Sequence, residues 1–344
     1  MNKLLKVAFL GFLYSSSLLA VNDKAIAAAN FPPTLSEFNF FKNAKEQIPH
    51  ENVLPYELIS SLFSDYSEKL RFIYVPEGKK AEYQEDWAFN FPEGSALIKT
   101  FLYPIDERDN SLGRNLLETR LLLKKESGWE AVSYVWNDNQ DEAFIKLAGK
   151  AINTSWIDEE GTERKVRYKV PNKNECKECH AFNDVMTPIG PKARNLNKNY
   201  NYDDGSKNQL LKWLELNLIK NYPEDLISTV NWEDEDQNFN LRARAYLDIN
   251  CGHCHAFSGA ANSTGLYLNY DENRPKHLGV YKTPVAAGRG SGNLKYSIVP
   301  KNPEESILLL RMLSTDPGIM MPEAGRSLVH KEAVFLIEEW IKSM

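Results

Sequence analysis

Two five-residue stretches constrain this chain more than any other feature: Cys176-Lys177-Glu178-Cys179-His180 and Cys251-Gly252-His253-Cys254-His255. Both read C-x-x-C-H, the pattern at which a c-type haem is attached. In a helical turn, residues i, i+3 and i+4 share one face, so two thiols reach two porphyrin vinyl groups while the imidazole lies under the iron. All the cysteines of the chain, 4 in number, fall inside the motifs. A zinc site also uses paired C-x-x-C, but its pairs stand close together, whereas residues 180–250 separate these. A dithiol redox centre accounts for one pair and gives no reason for a histidine directly after the second cysteine, twice. The motifs therefore predict two covalently attached haem c groups, held through Cys176, Cys179, Cys251 and Cys254, with His180 and His255 as iron ligands.

Residues 1–29 read as a secretory signal peptide. Lys3 and Lys6 precede an apolar run from Val7 to Val21, and Ala25-Ile26-Ala27 and Ala27-Ala28-Ala29 offer small residues for a cut near Ala27 or Ala29. The run is short for a span of ~20 residues, so no membrane span is expected once the leader is removed. Export to the periplasm agrees with the haem reading, and with every cysteine in a motif no structural disulfide is expected. Over 344 residues the chain is 42% hydrophobic and 26% charged, the makeup of a globular protein. Its formal net charge of −6 becomes more negative when Lys3, Lys6, Lys24 and Asp23 leave with the leader. Nucleic acid is a poor partner for such a surface; redox partner proteins with basic docking patches suit it better.

The pattern beyond the leader changes along the chain. Residues 30–70 are polar and proline-punctuated, with one short helix expected at Tyr56 to Phe63. From Arg71 to Val170, eight short runs rich in β-branched and aromatic residues alternate with turn signals such as Pro76-Glu77-Gly78 and Asn137-Asp138-Asn139. They predict an antiparallel β-sandwich or jelly-roll-like domain over 30–171. Its tryptophans read as core rather than as a ligand platform, and it has no cysteine or histidine cluster for a metal. Helical periodicity then flanks each motif, at Asn208 to Lys220, Phe239 to Asn250, Pro303 to Met312 and His330 to Ser343. The fold class expected is α+β multidomain: the β-rich domain, then two α-helical cytochrome c-like haem domains over 172–231 and 232–344.

Distal ligands and tuning groups are sought in the irregular loops. Met321, next to Pro322, is the candidate for the second haem, with Met320 its neighbouring substitute; a thioether ligand raises the reduction potential. Met186 is the candidate for the first. Extended, residues 180–186 span at most ~20 Å, but coiled as helix only ~9 Å, so ligation needs an irregular chain such as Pro188 and Pro191 permit. His50, His277 or His330, or an open iron, are the alternatives. His50 reads as a solvated loop histidine, and His253, between the cysteines of its motif, as a non-ligand. Arg194 and Arg289 are the cations singled out to fold over the haem propionates, with Lys192 and Lys295 as further loop cations.

Leu54-Pro55-Tyr56, Leu62-Phe63-Ser64-Asp65-Tyr66, Pro188 to Asn197, Ala243 to Asp248 and Met320-Met321-Pro322, together with both motifs, resemble a family of exported bacterial dihaem c-type cytochromes whose physiological role is not established. The resemblance covers nearly all the chain after the leader. It implies a periplasmic redox protein with an N-terminal β domain, and carries over both motifs as haem sites. The function expected is relay of single electrons between redox partners. The alternatives are a dihaem enzyme, such as a peroxidase or small-molecule dehydrogenase with an open first haem, and a β-sandwich binding module with accessory haems. Whether the chain is an enzyme stays open at this point.

Overall fold

The computed structural model describes residues 20–344; most of the expected leader, residues 1–19, lies outside them. A short helix, α1 (Asp23–Ala27), comes first, capped by the Asn22 side chain. A two-stranded ribbon follows, β1 (Phe41–Asn43) with β2 (Ile48–Pro49). Then comes the main sheet: β3 (Val53–Pro55), β4 (Glu68–Tyr74), β5 (Ala96–Pro104), β6 (Arg114–Lys125), β7 (Gly128–Trp136) and β8 (Ala143–Ile145). Its strand order is its chain order, and every pairing is antiparallel. A hairpin of β9 (Lys150–Ile157) and β10 (Glu163–Val170) ends the β-rich half.

Period-two alternation assigns the two faces of this sheet. Ile98 and Leu102 of β5, Leu121 and Leu123 of β6 and Val132 and Tyr134 of β7 point to one side, where Ile26, Phe38 and Phe40 of the N-terminal segment cover them. Val21 and Ala25 are buried in the same cluster. A cut near Ala27 or Ala29 would thus remove part of the core, whereas a cut before Val21 would leave it whole. On the other side, Phe101, Tyr103 and Val135 pack at one end against Trp156, Val166 and Tyr168 of the hairpin. At the other end, Ile73, Leu97 and Ala131 pack against Phe89, Leu196, Leu210 and Trp213.

The later half is assembled from small pieces: α2 (Lys173–His180), a hairpin of β11 (Ala181–Phe182) and β12 (Val185–Met186), α3 (Ala193–Leu196), a hairpin of β13 (Asn199–Tyr202) and β14 (Gly205–Asn208), and α4 (Gln209–Glu215). Beyond them lie α5 (Phe239–Leu247), a π-helical turn at Asp248–Gly252, α6 (Ile307–Leu313) and α7 (Lys331–Lys342). On α7, Val334, Ile337, Trp340 and Ile341 are buried as their spacing predicts. None of the helices among the described residues is long and apolar enough to cross a membrane.

This architecture corrects the expected fold class. Strand outweighs helix, and no two separate helical cytochrome domains are formed. The first motif has no helical domain of its own: α2 and β12 lie on β7, and the apolar residues downstream complete the cluster on the sheet. Helix periodicity at Asn208 to Lys220 yields only the seven residues of α4, because Asn217 adopts a positive φ and turns the chain back. A jelly roll needs strands that cross between sheets, and a chain-ordered meander has none. Tyr56 to Phe63 forms no helix; it is a strap whose polar groups are tied to distant segments. Ser60 N–H donates to Asn195 Oδ1 at 2.8 Å, Glu57 N–H to Gln209 Oε1 at 2.8 Å and Phe63 N–H to Asn250 Oδ1 at 2.8 Å.

Candidate haem-attachment site

Residue by residue, the first motif occupies the second half of α2. Asn172 caps that helix in a reciprocal box: its Oδ1 accepts from Asn174 and Glu175 N–H, and Glu175 Oε2 accepts from Asn172 N–H. The second motif begins inside the π-helical turn that ends α5, a local widening frequent at functional sites. Its helical frame holds, since His255 N–H donates to Cys251 O at 2.8 Å.

The two motifs meet. The Cys254 thiol hydrogen-bonds to Cys179, and Cys254 Sγ lies 4.0 Å from Glu178 O. That bond holds the Cys179 thiol well below the ordinary thiol range, with His253 assisting, and raises Cys254. Segments just beyond the motifs join as well: Asn183 N–H donates to Ser258 O at 2.9 Å. Gly259 lets the chain after the second motif fold back tightly on it, because a Cβ there would run into Cys254 O and His253 O.

One cavity of about 620 Å³ takes in both motifs. Cys176, Cys179, His180, Cys251, Cys254 and His255 all line it, and Met321 faces it from the far loop. Each histidine is held by one ring nitrogen. His180 Nδ1 lies 2.8 Å from Thr187 O, and His255 Nδ1 lies 3.5 Å from Thr264 Oγ1. A ligating histidine needs this arrangement, its Nδ1 fixed and its Nε2 left for the metal. Burial lowers both imidazoles to about 4, so they stay neutral, the form that binds iron. Among the described residues no three of His, Cys, Asp and Glu converge as the donor set of a bare metal ion. Paired thiols beside a single oriented imidazole, twice, on one apolar-walled cavity, fit a thioether-bonded haem.

The loop bearing Met321 is held from two sides. Arg326, buried, donates from Nε and a terminal nitrogen to Met321 O at 3.1 and 2.8 Å, and further to Arg311 O, Ser314 O and Leu328 O. Asp65, from the strap before β4, accepts from Ser327 N–H at 2.7 Å, Leu328 N–H at 2.8 Å and Ser327 Oγ–H at 2.8 Å. Met320 is buried outside the cavity lining.

Other expected site residues lie elsewhere. Met186 pairs with Ala181 in the hairpin after α2 and is buried among the residues on the sheet, away from the cavity lining. Arg194 is taken up by Asp86 and Asp271, and Arg289 by Asp316 at 2.6 Å on the surface; neither lines the cavity. Lys192 is not a solvated loop cation but is buried against Asp248. His50 is buried, with both ring nitrogens lacking a partner. His330 does line the cavity, yet it is stacked on Phe63 at 3.9 Å between ring centres and bordered by Tyr66, Trp232 and Tyr246.

What sequence reasoning missed is the sheet's contribution to the cavity wall. Arg71, Lys99 and Arg120 line it from β4, β5 and β6. Alternation carried the signal, since each shares strand parity with an inward apolar residue (Ile73, Leu97 and Leu122) and so occupies a core-facing position. Compared with family models, with curated proteins and with solved structures, the chain matches none.

Proposed function

We propose that this chain is a periplasmic dihaem c-type cytochrome, of the family it resembles, that relays single electrons between redox partners. The observation that carries this reading is the meeting of both C-x-x-C-H motifs on one cavity, each with its imidazole oriented through Nδ1 and its Nε2 left for iron. When bound, haem supplies reversible one-electron chemistry at iron. The chain's residues do the rest. Cys176 and Cys179 would tether one group and Cys251 and Cys254 the other; His180 and His255 would each hold an iron; Met321, its loop clamped by Arg326, would offer the second a thioether. Most of the cavity wall is apolar.

A second reading is favoured by the burial of Met186 in the core, which leaves the His180 side without a thioether. In it the first iron is open and the protein is a dihaem oxidoreductase. Intact-mass analysis of protein from a host with haem-attachment machinery tests the common premise: two additions of haem mass are expected, and a bare polypeptide would overturn both readings. Carbon monoxide added to the reduced protein then separates them. A spectrum without ligand uptake supports a relay, and uptake at one iron supports catalysis.

A further inference from the structure

Across the inner face of the main sheet, Arg71 of β4 stands opposite Lys99 of β5, and Lys99 opposite Arg120 of β6. Like charges directly opposite on neighbouring strands repel one another, so a row of three costs stability unless an anion answers it. Lys69 of β4 adds a fourth cation nearby, felt at Lys99 and Arg120. Glu118 is the acid bonded within the row: its Oε1 accepts from Arg120 at 2.6 Å and from Tyr168 O–H at 2.6 Å. Other acids near it are committed elsewhere, Asp65 to the Met321 loop and Glu175 to Lys169 and the α2 cap. Among the described residues, neither Arg71 nor Lys99 has an acidic partner. Arg120 Nε is buried without an acceptor.

Arg71, Lys99 and Arg120 all line the cavity. Phe101 forms a platform under them, with Lys99 Nζ 4.9 Å and Arg120 Cζ 4.1 Å from its ring centre. The row also lies close to the first motif, since Lys99 and Arg120 both act electrostatically on Cys176. A planar guanidinium on either side of an ammonium, on an aromatic floor, suits a planar anion with two oxygens. We infer that the Arg71–Lys99–Arg120 row is a carboxylate-binding site of the cavity. The carboxylate belongs either to a small organic acid that enters the cavity or to a haem propionate; the second source rests on the dihaem reading, the first does not.

Calorimetric titration of the full-length protein, as purified from a haem-attaching host, with succinate at low and at high salt tests the site. Lys99→Met serves as the variant that removes the central cation, and Lys99→Glu as the one that supplies its own carboxylate. Succinate uptake weakened about tenfold or more by Lys99→Met, and abolished in a Lys99→Glu protein of raised melting temperature, assigns the site to a free acid. No uptake, with the pH at which a haem midpoint potential begins to vary moved upward in Lys99→Met, assigns it to a propionate. Neither succinate uptake nor a moved potential profile overturns the proposal. Should the protein carry no haem, the titration alone decides, so failure of the haem reading and failure of this site are told apart.

Discussion

Lys192 and Asp248 form a buried bidentate ion pair. Lys192 Nζ stands 3.0 Å from both carboxylate oxygens, and Oδ1 accepts in addition from Tyr270 N–H at 3.1 Å. The pair joins the loop after the first motif to the π-helical turn that leads into the second, so the relative placement of the motifs depends on it. Removing one partner leaves the other charge buried and unanswered, at a cost of about 3–5 kcal/mol. Lys192→Met and Asp248→Asn are each expected to lower urea stability on that scale. The Lys192→Met, Asp248→Asn double variant should fall short of the sum of its parts, because neither charge is then left buried and unanswered.

Arg326 fixes the loop that presents Met321 through bonds to four backbone carbonyls. Bonds from a charged donor contribute about 1.5–3 kcal/mol each when their loss leaves no substitute, and carbonyls freed near the surface recover part of that from water. Arg326→Ala is expected to destabilise the protein by roughly 2–4 kcal/mol. On the proposed function it should also let carbon monoxide reach the second iron in the reduced spectrum, while Arg289→Ala, a surface cation paired with Asp316, should change neither.

Acid weakens this fold through its buried histidines. His330 is lowered to about 3 by burial, with the charges of Lys69 and Arg326 adding to the effect. A depressed imidazole binds its proton in the unfolded chain first, so its contribution is complete above ~6.5 and is lost as pH falls toward about 3. Urea midpoints should therefore drop between pH 7 and pH 5. His330→Phe keeps the stack on Phe63 and removes the titration, and should show a smaller drop.

On the proposed periplasmic function, removal of a leader is expected to leave α1 on the chain. Ile26 is fully buried, with Val21 and Ala25 beside it, and Tyr74 O–H donates to Asp23 at 2.7 Å. N-terminal sequencing of the mature protein should begin no later than Val21. A variant beginning at Asn30 should lose more than the ~2–5 kcal/mol typical of emptying one large apolar site.

Several parts of this structure were legible in the sequence and others were not, for identifiable physical reasons. The strands from β4 to β10 stand close to where alternation and turn residues put them, because both signals are local. Helix periodicity over Val334 to Ile341 was local in the same sense. The two motifs carry their spacing within five residues each and so could be found in the sequence, but their meeting on one cavity could not, because it brings together segments about seventy residues apart that were expected in separate domains. Arg194 and Arg289 looked like free cations because nothing near them in the chain shows that Asp271 and Asp316 come to meet them. The independence expected of the first motif's segment failed for a related reason. Its core partners are Leu97 and Ala131 of the sheet, and its polar ties run to Glu57 and Ser60, all contacts between residues far apart in the chain.

The strand order of the main sheet bears on how such a protein is made. Every pairing from β3 to β8 joins sequence neighbours, and short-range topology favours rapid assembly. Residues up to 145 can thus settle into a platform while the rest of the chain is still arriving, and both cysteine motifs then emerge onto a surface already in place. Asp65 meets its last partners, Ser327 and Leu328, only once nearly the whole chain is present. The wall of the pocket, which includes Met321, Arg326 and His330, is consequently complete only when the C-terminal end arrives.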